Sequence, residues 1–232
     1  MTEVPASPLT RGLRWLRTVP TAISLCLLFC LVFAAEWYVW TRVGRAAFVE
    51  FFVATRDPSV GWLLAPLAHL PTDLRHLTSS VVQLLLFGGI VERRLGRRQF
   101  LGLAVVSGVA TTAAQVASYV IVGVGARPVG TLGASGIVLA MTALAVVDSL
   151  RYRLATGEWH GDATWVWVLL GGFVVGQAVF GLVTLAFGSA QVGVVGHLTG
   201  VFIGFGFGLV RPSRSVLYSR VEGRWNYFDR GR

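Results

Sequence analysis

The chain has 232 residues, of which 54% are hydrophobic and only 13% charged. Soluble domains carry about 25% charged residues, so the composition excludes an ordinary soluble domain and points to a polytopic membrane protein. The net charge is +9 with no lysine; the arginines cluster at the ends of apolar segments, which reads as a topology signal rather than a nucleic-acid surface.

In chain order, residues 1–18 form a basic cytoplasmic tail with Arg11, Arg14 and Arg17. Residues 19 to about 40 make the first span, ending in Trp37, Tyr38 and Trp40 like an aromatic belt. A cleavable signal peptide is the rival reading, but the apolar run is nearer the ~20 residues of a spanning helix than the ~7–15 of a signal peptide. Cys26 and Cys30 are too few ligands for a metal site and read as core packing. Residues 41–72 are half apolar and broken, and read as an interfacial element. The second span runs from 74 to about 91 and closes on Arg93, Arg94, Arg97 and Arg98, a cytoplasmic turn.

The third span covers 100 to about 122, followed by a loop with Arg127 and Pro128. The fourth covers about 131–147, a polar loop with Asp148, Arg151, Arg153, Glu158, His160 and Asp162 follows, and then come the fifth span, 165 to about 187, and the sixth, 191 to about 210, the last two joined by the short turn 188–190. The tail 211–232 is again arginine-rich. The expectation is an all-α bundle of six transmembrane helices over 19–210, with both termini cytoplasmic in a cell membrane. Gln83, Gln115 and Gln177 read as interhelical hydrogen-bonders.

Chemistry concentrates in two glycine-rich stretches. Gly130-Thr-Leu-Gly-Ala-Ser-Gly136 places Ser135 where a helix begins, and unpaired N–H groups with the positive end of the helix dipole there favour developing negative charge. A serine needs a base. Of the four histidines, only His197, in Gly193-Val-Val-Gly-His-Leu-Thr-Gly200, lies inside a long apolar run on the far side of the sequence. With six spans, Ser135, His197 and His76 all fall at a similar shallow depth below the outer face. Ionisable groups within spans are costly and by default functional. Gly196, Gly200 and Gly204 form a stripe that lets two helices approach closely.

These features resemble the rhomboid family of intramembrane serine proteases. Gly133-Ala134-Ser135-Gly136 matches its nucleophile motif, and His197 with the stripe Gly196, Gly200 and Gly204 matches its sixth helix. His76 and Gly88-Gly-Ile-Val-Glu92 match part of its second-helix pattern. The resemblance implies a rhomboid-like six-helix bundle and a Ser135–His197 dyad. It also implies an oxyanion held by the Ser135 N–H and the His76 side chain, with Ser80 and Gly133 in support. The implied substrates are membrane-spanning helices cut near the outer face, with no cofactor or metal and no nucleic-acid partner.

This chain departs from the family pattern in three places. Ser80 stands where the family has asparagine, Leu139 stands where an aromatic is common one turn after the serine, and Trp62 is followed by Leu63 rather than arginine. His69 takes the place of the outer-loop histidine and reads otherwise as an interfacial residue. Two other functions compete with proteolysis: an inactive rhomboid-like protein that binds or escorts membrane helices, and a small transporter. No acid mid-span and no inverted repeat argue against the transporter.

Overall fold

A computed structural model describes residues 15–122, 130–159, 165, 168–176 and 193–210. Residues 1–14, the C-terminal tail, the loop around Arg127, Gln177, most of the expected fifth span and the turn 188–190 lie outside the described residues. The described residues are helical except for short connections and one β-bridge, so the all-α expectation holds.

Helix α1 runs Pro20–Tyr38, with Pro20 in the first turn, where its missing N–H costs nothing. A π turn, Val39–Val43, ends it at Gly44, whose φ of 118° a side chain would resist. Helices α2 (Arg45–Phe52) and α3 (Gly61–Leu64, followed by a 3₁₀ turn, Ala65–Leu67) are too short to cross a bilayer. Gly61 is fixed by contact, because a Cβ there would strike the Val53 carbonyl.

Helix α4 (Leu74–Gln83) passes through a π turn, Leu84–Gly88, into α5 (Gly89–Leu95). Gly96, with φ 81°, turns the chain into α6 (Arg97–Val122). Helix α7 runs Ser135–Thr156 and α8 runs Val194–Val210. Among the described residues, three segments are long and apolar enough to span a membrane: Pro20–Val43, Leu74–Leu95 and Arg97–Ile121. Helix α8, of 17 residues, is apolar but shorter.

Two boundaries differ from the sequence reading. Helix α7 begins at the serine itself, not at 131, and continues to Thr156, through what reads as a polar loop. Asp148 causes the difference: it is buried and ion-paired to Arg94 at 2.7 Å, and Arg94 also donates to Ser149 at 3.0 Å. A paired charge is compatible with a buried helix face, where an unpaired one is not. Of the cysteines, Cys26 packs in the core as expected, but Cys30 is exposed.

The main core joins α1, α4, α5, α6 and α7 through Phe29, Leu84, Phe87, Phe100, Val138 and Met141. Helix α7 is buried on nearly every side over residues 136–149, and α8 packs along it more extensively than any other pair of helices touch. That contact depends on glycine. A Cβ on Gly200 would strike the Gly136 carbonyl oxygen, and one on Gly204 would strike that of Ala140. Backbone therefore meets backbone, as the small-residue stripe implies.

Candidate active site

The chain entering α7 is held before the helix begins. Thr131 and Ala54 exchange backbone hydrogen bonds at 2.8 and 2.9 Å, and the Gly133 N–H donates to the Ala65 carbonyl at 2.9 Å. Gly133 has a φ of 141°, which L side chains rarely adopt, and this kink delivers Ser135 as the first helical residue. Val138 is the first residue whose N–H bonds back into the helix turn, to Ala134. The N–H groups of Ser135, Gly136 and Ile137 are thus the unpaired donors of a helix N-terminus.

His197 stands in the first turn of α8. Its N–H donates to the Gly193 carbonyl at 2.9 Å, and Gly193 has a φ of 95°. The preceding Gly196 N–H donates to Oε1 of Gln115 on α6 at 2.8 Å. This is an interhelical bond of the kind its sequence position implies, and it fixes the start of α8. Across the α7–α8 contact, Ser135 Oγ and His197 Nε2 are 2.8 Å apart. With the proton on Nδ1, Nε2 accepts the serine hydroxyl. Both groups are partly buried. Among the described residues no carboxylate bonds His197.

His76 completes the cluster. Asp73 caps α4, its carboxylate accepting the His76 N–H at 3.1 Å, which sets His76 in the first turn. A Cβ built on Gly133 would lie 3.4 Å from Ser135 Oγ and 3.5 Å from His76 Cε1, so the serine and this imidazole flank the same glycine. Ser80 is buried one turn further along α4 and makes no hydrogen bond to Ser135 or His197. Leu139 packs with Ala143 and Val201, filling the α7–α8 seam with aliphatic carbon where an aromatic ring was looked for.

His69 differs from its reading as an interfacial residue: it is fully buried. Its ring centroid lies 5.6 Å from that of Phe29 and 5.1 Å from that of His76. Burial pulls its pKa down to about 4; nearby His76 adds to the effect, while the Leu67 backbone and Asp73 oppose it. Its N–H donates to Oε1 of Glu36 at 2.8 Å. Glu36 was missed in the sequence, although an acid near the end of an apolar span is itself a signal. Among the described residues no cluster of His, Cys, Asp and Glu is arranged to hold a metal.

The Rhomboid domain model matches residues 58–214, about two thirds of the chain. The match takes in His69, His76, Ser135 and His197 together. This protein belongs to the rhomboid family. With its apolar helices, that makes it a multi-pass membrane protein. Comparison with curated proteins gives no match.

Proposed function

We propose that this protein is an intramembrane serine endopeptidase, with Ser135 as nucleophile and His197 as general base. The observation that carries the reading is the 2.8 Å approach of Ser135 Oγ to His197 Nε2 across two helices that only glycines allow so close. His197 takes the hydroxyl proton as Oγ attacks the peptide carbonyl, then returns it to the leaving amine. The oxyanion forms beside the Ser135 N–H and the His76 imidazole, at the positive end of α7.

The substrate is a transmembrane segment that unwinds locally, because a peptide bond within a helix is shielded from attack. A six-span topology puts both tails in the cytoplasm and the dyad toward the outer face. Residues 41–72 then lie at the membrane surface beside the site. The arginine distribution supports this orientation.

Ser80 favours a second reading, a rhomboid-like protein that binds membrane helices and cuts them poorly, because no amide stands beside the oxyanion. The test is cleavage of a membrane-spanning substrate in proteoliposomes by wild type and Ser135→Ala. Product from wild type alone supports the protease. Equal substrate capture by both proteins, without product from either, overturns it in favour of binding.

A further inference from the structure

Glu36 is fully buried near the end of α1, in a segment otherwise apolar. A carboxyl in such a place is unfavourable unless a partner uses it. One oxygen is used: Oε1 accepts the His69 N–H, joining α1 to the segment that leads into α4. Glu36 Oε2 has no hydrogen-bond partner, and neither does either ring nitrogen of His69. Apart from the Leu67 backbone beside it, the His69 ring contacts two other rings, Phe29 and His76, and meets the plane of His76 at 69°.

A continuous line runs from the Glu36 carboxyl to the His69 backbone, through the His69 ring to the His76 ring, and on to Gly133 and Ser135. We infer that Glu36 and His69 are positioning residues that act through His76. The carboxyl fixes the backbone of residue 69, and the imidazole, backed by Phe29, presses against His76 and selects the rotamer in which it faces the oxyanion. This inference rests on the proposed oxyanion role of His76. A first-turn imidazole has several staggered rotamers open to it, and a fixed ring at its side removes those that point elsewhere. The first helix thereby controls a group on the second without touching it.

The experiment measures the fluorophosphonate labelling rate per folded molecule, with kcat and KM on a membrane substrate, for wild type, Glu36→Gln, His69→Phe, His69→Ala, His76→Ala and the double variant His69→Ala/His76→Ala. His69→Ala is expected to lower labelling and kcat about tenfold with KM unchanged, less than the ~10²–10³ for outright loss of an oxyanion donor. His69→Phe recovers most of the rate because the ring contact remains. Glu36→Gln stays close to wild type because an amide oxygen still accepts the His69 N–H. Adding His69→Ala to His76→Ala lowers the rate no further.

A full-rate His69→Ala overturns the inference, and so does a tenfold loss that persists in the His76→Ala background. Should His69→Ala fail to fold, His69→Leu fills the volume without a ring. Phe faster than Leu then supports the inference, and equal rates overturn it. A folded wild type that does not label overturns the protease reading itself, a failure visible before any His69 variant is compared.

Discussion

Ser135 opens α7, and Asp148 lies thirteen residues along the same helix, about 20 Å away at 1.5 Å per residue. Around Asp148 the buried polar groups are paired. Arg94 reaches its carboxylate, the Ser149 hydroxyl and the Ala145 carbonyl. Glu92, on the same helix as Arg94, accepts the N–H groups of Thr21 and Ala22 with its two oxygens and so caps α1. Around Ser135, Glu36 Oε2 and both His69 ring nitrogens are buried without partners. One end uses polar groups to fasten α1, α5 and α7 together. The other leaves part of its buried polarity unpaired, which is the pattern expected where polar groups serve chemistry.

Substitutions should therefore separate stability from activity by end. The largest stability effect is expected at the arginine end. Asp148→Ala strands a buried guanidinium and should cost about 3–5 kcal/mol. Detergent-phase thermal unfolding would measure the loss, while labelling per folded molecule stays at the wild-type level. Gly204→Ala comes next. Its methyl meets the Ala140 carbonyl oxygen, so α8 must move off α7. A loss of about 1–3 kcal/mol is expected, with slower labelling because His197 moves with its helix. Unchanged labelling would break the link between the glycine seam and the dyad.

Gln115→Leu leaves the buried Gly196 N–H without its acceptor and should cost about 1–3 kcal/mol. Because that bond sets the first turn of α8, labelling should fall alongside unfolding temperature. Taken per pH unit, the smallest effect is a pH dependence. His69 binds its proton at about 4 in the folded protein against an ordinary value of 6.5. Between those values the unfolded chain holds the extra proton, so stability falls as pH drops through that window, by at most about 1.4 kcal/mol per pH unit. His69→Phe should lack that part of the slope, read from unfolding temperatures across the window. An identical slope in both proteins would place the titrating group elsewhere.

The dyad was legible in the sequence because its signals are local. Gly133, Ser135 and Gly136 announce a kinked helix start, and glycines every fourth residue announce close packing around His197. The second-helix histidine was legible through its place near the start of a span and its spacing to Gly88-Gly-Ile-Val-Glu92. The Glu36–His69 bond spans 33 residues and the Arg94–Asp148 pair spans 54, and neither leaves a periodic trace. In sequence Asp148 reads as a loop residue because charge in an apolar run ordinarily ends it, and only its partner on another helix reverses that rule. The π turns at Val39–Val43 and Leu84–Gly88 have no composition of their own and were invisible in the pattern.

The most direct test of the central claim is covalent labelling of purified, folded protein with a fluorophosphonate, followed by mapping of the modified residue. The account predicts a single adduct on Ser135 in wild type. It predicts none in Ser135→Ala, and a rate lower by at least about 10³-fold in His197→Ala, because an unassisted serine is a weak nucleophile. A folded wild type without an adduct, or a His197→Ala variant that labels as fast as wild type, would contradict it.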